Sequence, residues 1–136
     1  MASDTQKPKF GTVEVYELLA NILNADPKWR DLAKPISYTM VYAYTAPIDK
    51  RFLLKFHQGE VVEVRDLLPG EEATADFVIS GAPMVWRDLI QQKLSPTVAM
   101  ASGKVKIKGS QAALLRHMKR FNYLISQLCS MDLEFS

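Results

Sequence analysis

The chain has 136 residues, 48% of them apolar and 24% charged, a balance that excludes a disordered, collagen-like or rod-forming chain. Seventeen Lys and Arg against 15 Asp and Glu leave a net charge of +2, short of the basic excess expected of a nucleic-acid binder. No apolar run approaches the ~20 residues of a membrane span, and the single cysteine, Cys129, has no partner for an internal disulfide.

One domain of this length buries roughly two-thirds of its unfolded surface, enough for a core without staples. Residues Met1 to Phe10 are polar, contain Pro8 and show no periodicity, so a flexible tail over 1–10 is expected, followed by a single domain over 11–136. The opening residues lack the apolar stretch of a signal peptide, and Glu134-Phe135-Ser136 is not a peroxisomal or retention address, so the expected location is cytoplasmic. From Thr12, a candidate cap, Val15, Leu18, Leu19, Ile22 and Leu23 recur at helical spacing until Pro27. A short helical turn fits between Trp29 and Lys34.

Strands follow. Tyr38 to Tyr44 alternates, with Tyr38, Met40, Tyr42 and Tyr44 on one face. Arg51 to His57 places Phe52, Leu54 and Phe56 together, and Gln58-Gly59 is a two-residue turn into Glu60 to Arg65. Pro69-Gly70 marks another turn before a fourth strand around Phe77 and Ile79. Pro83 suits a first helical turn, with Val85, Trp86, Leu89 and Ile90 forming the stripe behind it. Ser95-Pro96 reads as a cap and first residue of a short helix that Gly103 breaks. Lys104 to Lys108 is a fifth strand, with Val105 and Ile107 on one face and three lysines on the other. Ser110 then caps a long final helix whose inner face carries Leu114, Met118, Phe121, Ile125 and Leu128. The order predicts an α+β fold, a mostly antiparallel five-stranded sheet covered by helices.

Catalytic signatures are missing. There is no G-x-S-x-G elbow, no H-E-x-x-H, no phosphate loop and no carboxylate pair at acid/base spacing. His57, His117 and Cys129 are too dispersed for a metal site. No cofactor is expected, and the chain does not read as an enzyme. Lys104, Lys106 and Lys108 admit two readings, an anion contact or an edge strand protected from pairing. Arg116, Lys119 and Arg120 would extend such a basic surface toward anionic lipid.

The segment Ser95-Pro96-x-x-Ala99-Met100-x-Ser102-Gly103-Lys104-Val105-Lys106-Ile107-x-Gly109, with the Ala75-to-Gly81 strand and following helix, resembles the C-terminal half of a sterol carrier protein type 2 domain. From about Thr12 the element order fits as well. The resemblance implies an apolar tunnel between sheet and helices. It implies as partner a hydrophobic small molecule: a sterol, fatty acid, acyl-CoA or similar lipid. It also implies carriage or presentation rather than covalent chemistry, with transient contact to a membrane surface. The final helix looks longer than in compact carriers, which bears on tunnel closure.

On that footing Met84, Met100 and Met118 are candidate ligand-lining residues, because methionine adapts to varied shapes. Trp86, Leu89, Ile90, Leu115, Phe121 and Ile125 join them; ordinary core packing is the competing reading for all nine. The alternative function is a non-catalytic accessory or scaffold module that docks a lipid- or quinone-pathway enzyme through the sheet edge or the last helix.

Overall fold

The computed structural model describes residues 7–135. Helix α1 (Val13–Ala25) buries Val15, Tyr16, Leu19, Ala20 and Leu23 along one stripe. Thr12 stands at its start but does not cap it; the hydroxyl donates to the Lys9 carbonyl at 2.6 Å. Asp26 ends α1 and opens α2 (Pro27–Leu32), where its carboxylate accepts from the Lys28 amide at 3.0 Å. The short helix thus begins at Pro27, two residues before the turn expected around Trp29.

Residues 7–10 depart from a free tail; residues 1–6 lie outside the described residues. The Phe10 amide donates to the Glu134 carbonyl at 2.8 Å, and the Glu134 amide donates to the Pro8 carbonyl at 2.9 Å. The Phe10 ring packs on Tyr44 and Phe135. The apolar ring, not the surrounding polar composition, decides the placement of this segment.

The sheet holds β1 (Thr39–Tyr44), β2 (Lys50–His57), β3 (Glu60–Asp66), β4 (Phe77–Gly81) and β5 (Val105–Gly109) in the order β3-β2-β1-β4-β5. Three of its four pairings are antiparallel, and β1 with β4 is parallel. The parallel contact arises because the chain leaves β3 at one edge and crosses the sheet before adding β4 beside β1. That crossing is itself structural. Leu67, Ala73 and Ala75 pack on Val41, Leu53 and Val78, covering the outer face of the sheet with a loop.

The helices lie on the inner face: α3 (Pro83–Ile90), α4 (Pro96–Ala101), α5 (Gln111–Arg116) and α6 (Met118–Cys129). Ser95 and Ser110 cap as their sequence context predicts, accepting from the Val98 and Ala113 amides, each at 3.1 Å. The single long final helix is instead two. His117 turns inward between the Tyr38 and Phe121 rings, and its backbone opens to φ −109°, ψ 21°.

An aromatic cluster holds sheet to helices. Tyr16 and Tyr44 share a hydroxyl–hydroxyl hydrogen bond of 2.7 Å, Tyr44 stacks on Trp86 at 4.9 Å, and the Trp86 ring N–H donates to the Ala43 carbonyl at 3.0 Å. The tyrosine face of β1 is therefore a packing face: Tyr42 and Tyr44 are buried. Among the described residues no helix is long and apolar enough to cross a membrane.

Candidate functional site

Between the inner face of the sheet and the last four helices lies a cavity of about 70 Å³. Its floor is strand: Met40 and Tyr42 from β1, Phe77 and Ile79 from β4, Val105 and Ile107 from β5. These are the i, i+2 pairs that alternation directs to one face. Trp86 and Leu89 of α3 and Pro96 and Met100 of α4 form one wall. Leu114 of α5 and Met118, Phe121, Leu124 and Ile125 of α6 form the other, with Asn122 supplying the one amide. The Tyr42 hydroxyl is turned to the Met40 sulfur at 3.9 Å.

A cleft open to solvent adjoins the cavity and shares Leu89, Pro96, Asn122 and Ile125 with it. Its other walls are mixed, with Lys93, Ser95 and Thr97 on one side and Ser126, Cys129 and Ser130 on the other. Gln92 bridges the two sides, its amide donating to the Cys129 carbonyl at 3.1 Å. The apolar cavity thus adjoins a more polar cleft across shared side chains, an arrangement suited to an amphiphile.

Of the nine sequence-predicted lining residues, the fold brings six to the cavity: Trp86, Leu89, Met100, Met118, Phe121 and Ile125. Three lie elsewhere. Met84, in the first turn of α3, is 64% exposed, because two residues before Trp86 is the opposite side of the helix. Leu115 is 69% exposed; its neighbour Leu114 takes the inward position. Ile90 is buried, at 3% exposure, but packs in the core beside the cavity rather than on it. The sequence reading missed the strand floor, although its own alternation had already paired Met40 with Tyr42 and Val105 with Ile107. Asn122 carried no periodic signal.

Three titratable groups near the cavity, Cys129, Tyr42 and His117, are shifted toward their neutral forms. Burial pushes the Cys129 thiol up to about 11, so it is not a nucleophile at neutral pH. Burial also raises Tyr42. His117 is lowered, first by burial and then by Arg120 and Arg116; Arg120 sits 3.2 Å from its Nδ1 while donating through Nε to the Leu32 carbonyl. No group of three or more His, Cys, Asp or Glu among the described residues is placed to hold a metal ion.

Residues 18–122, more than half of the chain, match the model of the SCP-2 sterol transfer family. The chain belongs to the SCP-2 sterol transfer family. Solved structures agree on the fold. A crystal structure of sterol carrier protein 2 superposes with a TM-score of 0.78 at 20% identity, covering 91% of this chain and 100% of that one. A conserved hypothetical protein from Thermus thermophilus gives 0.78 at 20% identity, covering 97% and 96%. A UbiJ-SCP2 ubiquinone synthesis protein gives 0.60 at 16% identity, covering 86% and 89%. Among curated protein sequences none matches the chain. Family membership supports lipid binding, and the family's α+β sheet is the one described above.

Proposed function

We propose that this chain is an intracellular lipid carrier that holds a sterol, a fatty acyl chain or a similar hydrophobic molecule in the cavity between sheet and helices. The observation that carries this reading is the composition of the cavity wall: apolar from three strands and four helices, with Asn122 at its rim. Such a wall binds by burial and shape, which gives broad selectivity for apolar chains. With no nucleophile or acid/base pair among the described residues that line it, the reading assigns carriage rather than catalysis.

The cavity volume matters here. Small-molecule sites begin near 300 Å³, well above the 70 Å³ found. Left unfilled, a void of ~300 Å³ would cost about 7 kcal/mol, comparable to the stability of a whole domain, against about 2 kcal/mol for one of this size. A protein that takes up and releases an apolar chain is therefore best served by a wall that contracts and expands. Met40, Met100 and Met118, unbranched and freely rotating, are the side chains that can repack. A flexible acyl chain fits such a space more readily than a rigid ring system.

The test is thermal unfolding across a series of fatty acids of about 8 to 18 carbons. The expected result is a rise in Tm that grows with chain length and then levels off. A flat Tm across the series, and with a sterol added in parallel, would contradict carriage. One observation favours a second reading: the structural likeness to a ubiquinone synthesis protein. An accessory module docking a quinone- or lipid-pathway enzyme would give that flat series and would instead be stabilised by its enzyme partner.

A further inference from the structure

The charges of the chain are not evenly spread. From Leu89 to Met131 there are 43 residues with five Lys, two Arg and no Asp or Glu. The overall charge is only +2, so the rest of the sequence is net acidic. This acid-free stretch builds α4, β5, α5 and α6, the elements that close one side of the cavity. Lys104, Lys106, Lys108, Arg116 and Lys119 in it are exposed, and no ion pair among the described residues engages them.

The same region exposes apolar side chains. Val98 and Met100 on α4 are 53% and 40% exposed, and Leu115 on α5 is more exposed still. Met100 also lines the cavity, whereas Val98 and Leu115 stand on the outer sides of the same two helices. β5 is an edge strand, entered from α4 through Gly103 and left through Ser110 into α5. Val105 and Ile107 face the cavity, and the lysines between them take the other face of the same edge. A surface approached from the β5 edge meets protruding apolar groups on one side and lysines on the other.

We propose that the β5 edge, with α4 and α5, docks on an anionic lipid bilayer. Exposed apolar side chains within a field of cations are the combination that inserts shallowly into the headgroup layer of such a membrane. The net-acidic remainder of the chain orients the molecule by turning away from the same surface. Charge complementarity commits the occupant to a negatively charged surface. The exposed apolar side chains of α4 and α5 commit it to lipid, because they gain burial in a headgroup layer that a purely charged partner does not offer. The docking surface stands whether or not the cavity carries a lipid.

The experiment is co-sedimentation with vesicles of phosphatidylcholine alone and of phosphatidylcholine with about 30% phosphatidylglycerol. Binding is expected to the anionic vesicles only, and to fall as salt rises from about 0.05 to 0.5 M. Lys104→Glu with Lys106→Glu should weaken it about tenfold or more. Lys34→Glu with Lys55→Glu, an equal charge change on exposed side chains elsewhere, should weaken it less than about twofold. Val98→Ser with Leu115→Ser should remove the part of binding that persists at high salt. All these side chains are exposed, and circular dichroism checks that the variants fold. Failure to bind anionic vesicles at low salt would overturn the proposal, as would equal losses from the two charge-reversed pairs. Because no ligand is added, these outcomes are independent of the fatty-acid series.

Discussion

Leu114 and Leu115 are neighbours in sequence and opposites in the fold: one lines the cavity, the other stands in solvent. Leu115→Ser should change unfolding free energy by no more than about 0.5 kcal/mol, whereas Phe121→Ala, which empties part of a buried wall, should cost about 3 kcal/mol; urea denaturation of the two variants checks both. His117 makes a pH prediction. Its folded-state pKa lies below the ordinary imidazole value because of burial and the flanking Arg120 and Arg116. The unfolded chain then takes up a proton that the folded chain refuses, so the stability it contributes is full above about pH 6.5 and is lost as pH falls toward the folded value. The lowered carboxylates, Asp26 beside the Tyr123 hydroxyl and Glu71 beside Arg65, act in a more acid window. Tm should therefore decline as pH falls below about 6.5 in the native sequence. It should decline less in His117→Gln; equal slopes would remove His117 as the cause.

At the scale of elements, local chemistry was legible wherever a residue type has one strong preference. Ser95-Pro96 and Ser110 open helices, and Gln58-Gly59 turns β2 into β3 with both residues at positive φ, 49° and 86°. Gly59 is also hemmed in: a Cβ there would lie 2.8 Å from the Ala33 carbonyl oxygen, and its own carbonyl accepts the Trp29 ring N–H at 2.8 Å. Gly103 has a similar positive φ with nothing within 4 Å. Gly59→Ala should thus cost about 2–3 kcal/mol and Gly103→Ala about 1 kcal/mol, read as the difference between two denaturation midpoints. What stayed illegible was set by distant partners. The break at His117 follows from Tyr38 and Phe121 receiving the imidazole. The residues at Pro8 to Phe10 look polar and aperiodic, yet Phe10 is held by Tyr44 and Phe135. Trp86 and Leu89, on one stripe of α3, reach the cavity wall, whereas Met84 was chosen for its residue type and its angle on the helix turns it to solvent.

For the molecule as a whole, the element order gives an α+β sheet, but strand neighbours depend on how the 67–76 connection crosses the outer face, which no local pattern encodes. That crossing sets β4 parallel to β1 and leaves β5 as the edge. It also places the strand floor opposite α3 to α6, so the cavity is a property of topology rather than of any motif. Its walls draw on residues from Met40 to Ile125, and a single bulky substitution on them should act on binding more than on the fold. Leu114→Trp, half-buried at the cavity, is the variant of choice. The most direct measurement is native mass spectrometry of the chain incubated with a long-chain fatty acid, native sequence and Leu114→Trp side by side. Carriage in the cavity predicts a one-to-one complex for the native chain and its loss in a folded Leu114→Trp. A native chain seen only without ligand, or a variant that binds as well as the native chain, would contradict it.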